Sequence, residues 1–245
     1  MYKKNKGLIE WHLDNDKFIT EFINKCLLFN IGINNVKFYS QQDEDKYIIE
    51  NILKEKINDG VFLEIGACDG ILYSNTKTLE DYFGFSGILI EPQKHFYDKL
   101  IINREKCECY NYAVSNSNNK TIEFIGNNAE GGIANNINTN LTNKPSWHKY
   151  TVNNIKMKDL LQQSKYKYID IMIIDVEGSE LELLKSIDFT FPIFCIIIEA
   201  HSTEQEKNKI FGEYLKENGF TYKERQRGNE VWLNHNYFRK HLFSV

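Results

Sequence analysis

The chain has 245 residues, 42% of them hydrophobic and 13% aromatic, a composition that argues against disorder and suffices to bury a central sheet without disulfides. The formal net charge of −4 offers no basic field for a phosphate backbone, so no nucleic-acid partner is expected. Cys26, Cys68, Cys107, Cys109 and Cys195 lack a repeated spacing, and no apolar run reaches the ~20 residues of a membrane span, so a cytoplasmic protein with free thiols is expected.

In chain order, Phe18, Ile19, Phe22, Ile23 and Cys26 fall at helical spacing and predict a helix over 17–29. A second helix is predicted from Asp43 to Asn58, with Ile48, Ile49, Ile52, Leu53 and Ile57 on one stripe and a stop at Asp59-Gly60. Residues 1–38 read as a helical extension and 39–245 as the main domain. From Val61 short apolar runs alternate with helical stretches. The runs are Val61–Ile65, Gly87–Ile90, Cys109–Val114, Ile169–Ile174 and Phe194–Ile198. Helical spacing marks Thr78–Phe83, His95–Asn103, Met157–Leu161 and Leu181–Ile187, and later Thr203–Asn218 closing at Gly219. Between the third and fourth runs, the asparagine-rich stretch Asn116–Asn143 reads as a surface excursion with one strand at Thr121–Ile125, placed to cover a substrate mouth. At the end, Phe220–Arg227 and Glu230–His235 flank Gly228-Asn229 as a hairpin. Continuous apolar strands alternating with helices indicate an α/β fold whose mostly parallel sheet is buried on both faces. With the terminal antiparallel hairpin, seven strands in this order are those of a Rossmann-like class I methyltransferase sheet.

Chemistry-bearing residues gather where strands end. Glu64-Ile-Gly-Ala-Cys-Asp-Gly70 follows the first strand, and Gly66 and Gly70 free the backbone for a sharp turn against a ligand. Cys68 and Ile71 stand where a dinucleotide loop needs its second and third glycines, so a pyrophosphate has no seat. S-adenosylmethionine, which carries no phosphate, needs none. Asp69 can accept hydrogen bonds there, and Glu64 can meet a cationic amino group. Glu91-Pro92 closes the second strand, where a carboxylate accepts ribose hydroxyls. Asp175-Val-Glu-Gly-Ser-Glu180 closes the fourth, which puts Asp175 opposite the glycine loop; Glu177 and Glu180 either join it or merely favour the positive end of the next helix. Glu199-Ala-His201 ends the fifth strand, and period-two alternation sets Glu199 and His201 on one side. His201 reads equally as a general base with a carboxylate partner or as a helix-entry residue.

Tyr39-Ser-Gln41, Glu44-Asp45, Phe62–Ala67, Ser74-Asn-Thr76, Gly87, Ile90-Glu-Pro92, Ala113-Val-Ser115, Asp175–Glu180 and Ile198-Glu199 follow one another in an order that resembles the FkbM-type methyltransferases over residues 39–235. Asp43 departs from that pattern, which has glycine there. The resemblance implies S-adenosylmethionine as cofactor and mostly O-methylation of sugars, polyketides and similar metabolites. It implies that Glu64, Gly66, Asp69, Ser74, Glu91 and Asp175 line the cofactor site, with Ala67, Gly70, Pro92 and Ala113 in the same motifs. His201, aided by Glu199 or Glu177, is then the expected base for the acceptor hydroxyl. The set Asp175, Glu177, Glu199 and His201 suits a divalent cation equally well. Methylation of RNA or protein is the alternative reaction, and a non-catalytic cofactor-binding module the alternative class.

Overall fold

The apolar runs assemble into one sheet. The structure is a computed structural model and describes residues 36–53, 60–127, 129–137, 147–200 and 205–237. Strands β1 (Val61–Ile65), β2 (Ser86–Ile90), β3 (Glu108–Tyr110), β8 (Ile169–Ile174) and β9 (Ile193–Glu199) pair in parallel. The hairpin β10 (Thr221–Gln226) and β11 (Asn229–Leu233) completes the seven-stranded order β10-β11-β9-β8-β1-β2-β3. β11 lies antiparallel between β9 and β10.

Alternation along each buried strand feeds two cores. Leu63, Ile88, Met172 and Ile196 face one side, packed on α4 (Met157–Gln163), α5 (Glu180–Leu184) and α6 (Gln205–Glu217). Phe62, Leu89, Ile171 and Ile197 face the other, packed on α1 (Glu44–Tyr47), α2 (Lys77–Phe83) and α3 (Lys94–Asn103). Buried carboxylates fix the edges of this second layer. Asp45 accepts hydrogen bonds from the Tyr39 N–H at 2.7 Å, the Ser40 hydroxyl at 2.6 Å and the Thr78 hydroxyl at 2.6 Å, tying the segment before α1 to α2.

Four expectations are corrected. The stripe predicted from Asp43 begins as α-helix but widens to a π-helix over Ile48–Ile52; its predicted end lies outside the described residues. The run Cys109–Val114 is two strands, because Asn111 turns its amide back to the carbonyls of Glu91 and Pro92 and the chain leaves the sheet there. The hairpin turn is Arg227-Gly228, with Arg227 at φ 52°, and Asn229 already pairs with Gln226. The excursion contributes two strands to a second sheet of β4 (Ala113–Val114), β5 (Thr121–Asn127), β6 (Glu130–Ile133) and β7 (His148–Ile155), in the order β4-β7-β5-β6. The helix predicted over 17–29 lies outside the described residues. No helix among the described residues is long and apolar enough to cross a membrane.

Candidate active site

A cavity of about 490 Å³ opens at the carboxyl ends of β1, β2 and β8 and is roofed by the second sheet. This is the crevice where strand order reverses, with β2 to one side of β1 and β8 to the other. Glu64, Gly66, Glu91, Pro92, Ala113, Asp175 and Glu177 line it.

Gly66 turns the chain at φ 86°, and its N–H and that of Ala67 donate to the Ile90 carbonyl at 3.0 and 3.1 Å. A Cβ on Gly66 would stand 2.4 Å from the Asp175 carbonyl oxygen, so the two strand-end loops meet backbone to backbone. Glu91 accepts the Cys68 N–H on one oxygen at 3.0 Å and the Gln93 N–H on the other at 2.7 Å. Burial pushes its carboxyl up to about 7 against the pull of those two bonds. Glu64 is 2% exposed and accepts the Ser74 hydroxyl at 3.0 Å, the Asn75 N–H at 2.7 Å and the Thr76 hydroxyl.

Four of the residues expected at the cofactor stand behind this wall. Ala67 is buried, Ser74 spends its hydroxyl on Glu64, and Gly70 packs against Arg104. Asp69 accepts the N–H groups of Ile71 and Leu72 at 2.9 and 2.7 Å, which closes its own turn. Glu180 does the same for its loop: it accepts the Gly178 N–H at 2.8 Å and pairs with Lys207 at 2.7 Å.

At the β8 end, Asp175 is exposed and lines the cavity. It shares a hydrogen bond with Glu199, and burial, then the neighbouring acids, raise both carboxyls. Ligand atoms of Asp175, Glu177 and Glu199 lie within 4.8 Å of one another. His201 lies outside the described residues. Glu177 sits at φ 48°, held from above by the second sheet: a Cβ on Gly132 would be 2.9 Å from its carbonyl, and Asn136 donates to Ser179 at 3.1 Å.

Sequence reasoning gave no role to three other wall residues. Gln41 reaches the cavity because Asp45 fixes its neighbours, and Gln93 accepts the Tyr150 hydroxyl at 2.9 Å. Asn75 carries a buried side-chain oxygen without a hydrogen-bond partner among the described residues. Its place in Ser74-Asn-Thr76 was the signal. Trp147 is in the wall, whereas Tyr150 packs on Phe124 with ring centroids 5.7 Å apart.

A sequence model of the methyltransferase FkbM domain matches residues 64–222. The chain belongs to the FkbM methyltransferase family. A comparison with curated proteins gave no match. Among solved structures, a methyltransferase FkbM from Methylobacillus flagellatus KT is 12% identical over 80% of this chain and 48% of its own, with a TM-score of 0.47. The family chain thus spans about half the length of that relative. A TehB-like SAM-dependent methyltransferase from Corynebacterium glutamicum is 9% identical over 90% of this chain and 97% of its own, with a TM-score of 0.43. Fibrillarin from Aeropyrum pernix, with natively bound S-adenosyl-L-methionine, is 12% identical over 76% of this chain and 70% of its own, with a TM-score of 0.41.

Proposed function

We propose that this family member is an S-adenosylmethionine-dependent O-methyltransferase acting on a hydroxyl of a sugar, glycan or similar small metabolite. The observation that carries the reading is the cavity wall. It is lined by five acidic residues, Glu64, Glu91, Glu130, Asp175 and Glu177, and among the described residues by no lysine, arginine or histidine. A wall of that sign suits a cationic cofactor and a neutral polyol, and it disfavours a dinucleotide pyrophosphate or an RNA backbone. The orphaned Asn75 oxygen fits the same cofactor, since it asks for a donor such as an ammonium group.

When bound, S-adenosylmethionine supplies an electrophilic methyl group on a sulfonium. Glu91 accepts the ribose hydroxyls with the lone pairs its two N–H bonds leave open. Glu64 and Asn75 would hold the ammonium group, and Gly66 and Asp175 bring the two strand-end loops together backbone to backbone. Pro92 and Ala113 add apolar surface, and Ala67, Asp69, Gly70 and Ser74 keep the loop in shape from behind. In-line displacement needs the acceptor oxygen held on the methyl axis, and a sugar hydroxyl must lose its proton. His201, two residues beyond Glu199, takes that proton with Glu199 or Glu177 as partner. A divalent cation among Asp175, Glu177 and Glu199, whose ligand atoms lie within 4.8 Å of one another, is the second arrangement.

Mass spectrometry of products from neutral saccharides, nucleotide sugars and RNA, run with and without chelator, tests both. Methylated neutral saccharide is expected, with His201→Ala inactive and chelator without effect. Methylated RNA alone sinks the acceptor reading. Loss of turnover on chelation, restored by a divalent cation, moves the proton step from His201 to the metal.

A further inference from the structure

We propose that Arg104, which lies behind the cavity wall, is the positioning residue that holds Glu64 as a carboxylate for the cofactor's ammonium group. The inference rests on the cofactor reading above.

Arg104 follows α3 and is fully buried. Its guanidinium lies 5.2 Å from the Phe62 ring centroid, and Gly70 makes room for its stem, because a Cβ there would stand 2.6 Å from the arginine Cγ. Four of its five N–H donors go to the loop before α2 or to α2 itself. Nε donates to the Glu80 carboxylate, Nη1 to the Gly70 carbonyl at 3.0 Å and the Ser74 hydroxyl at 3.1 Å, and Nη2 to the Thr76 hydroxyl at 3.0 Å.

A guanidinium can only donate. The Ser74 and Thr76 oxygens therefore accept from Arg104, and each hydroxyl has one hydrogen left to give. Both hydrogens go to Glu64, joined by the Asn75 N–H. Three donors converge on one carboxylate, an arrangement that favours its charged form. Burial pushes the Glu64 carboxyl up, and Arg104 is the strongest influence pulling it down. The other ionisable groups nearby, Cys68, Asp69, Glu91 and Asp175, are all acidic, and Lys77 pairs with Asp81 at 2.6 Å and with Glu80 at 3.9 Å. Arg104 pairs directly with Glu80 and reaches Glu64 through the Ser74 and Thr76 hydroxyls, which leaves the Glu64 carboxylate without a cation in direct contact at the cavity end.

The test measures dissociation constants for S-adenosylhomocysteine and for 5′-methylthioadenosine, which has the same ribose and adenine but no ammonium. Their ratio isolates the amino-acid end from any effect at Glu91. In Arg104→Met and in the milder Thr76→Val, the preference for S-adenosylhomocysteine should fall at least ~5-fold relative to wild type at about pH 6. It should recover as pH is raised to about 8.5, because a carboxyl raised by burial is ionised increasingly at higher pH, with Arg104→Lys in between. Thr76→Val carries the test if Arg104→Met does not fold. Folded variants whose ratio follows wild type at both pH values overturn the proposal. So does an equal loss of both ligands, which would make Arg104 a scaffold residue only. A wild-type protein that binds neither ligand removes the cofactor reading itself, and the proposal with it.

Discussion

Two loop residues with positive φ behave differently at the scale of a single side chain. Gly66, at φ 86°, would drive a Cβ to 2.4 Å from the Asp175 carbonyl. Gly66→Ala should therefore cost about 1–3 kcal/mol of stability and most of the cofactor affinity, read by urea unfolding and calorimetry. Asp43, at φ 60°, occupies the position where the family pattern has glycine, and the left-handed backbone explains that pattern. Asp43→Gly should stay within about 1 kcal/mol of wild type in the same unfolding experiment. Glu91→Gln keeps the shape and removes the charge. Glu91 titrates at about 7, so wild-type affinity for S-adenosylhomocysteine should rise as pH rises through that value. The variant should lose this slope and bind more weakly by roughly 1.5–3 kcal/mol above it. A slope that survives the substitution would assign it to another group. The strand-end acids were legible because each follows an apolar run. Arg104 was not, since Arg104-Glu-Lys106 after a helix reads as a solvated charge run and only the fold buries it.

At the scale of elements, legibility followed burial. β1 and β8 coincide with their predicted ranges because both faces of each are covered and the sequence is continuously apolar. β7 was missed because it buries only one face and reads His-Lys-Tyr-Thr-Val-Asn-Asn-Ile, polar at most positions. Joining β3 and β4 into one run hid the change of sheet at Asn111-Tyr112. That missed sheet roofs the cavity with Phe124, Glu130, Gly131 and Ile133. Replacing residues 127–140 by a short turn should impair turnover while S-adenosylhomocysteine affinity stays within about threefold, or ~0.7 kcal/mol. A shortened, folded protein with wild-type turnover on the same acceptor would reduce the roof to a surface feature.

Across the whole molecule, Glu91, Asp175 and Glu199 are all raised above their ordinary values, Glu91 to about 7. Between the ordinary value and the raised one, the folded protein keeps protons that the unfolded chain has released. Stability of the ligand-free protein from these groups is therefore greatest below that window and falls as pH rises through it. Urea midpoints should drop between about pH 5 and about pH 7.5, and Glu91→Gln should lessen the drop. A midpoint that climbs over this range would mean that other groups dominate.

The place of β11 governs how the chain can be made. It lies between β9 and β10, although it follows both in sequence. Until it has been synthesised and inserted, β9 is an unpaired edge bearing Cys195, Ile196, Ile197 and Ile198, a template for pairing with another chain. Domains begin folding as they emerge from the ribosome, but the flank of this sheet beyond β9 cannot close until the last described strand arrives. A nascent chain halted at residue 226 would hold every described residue of the cavity wall and an open, aggregation-prone flank at once.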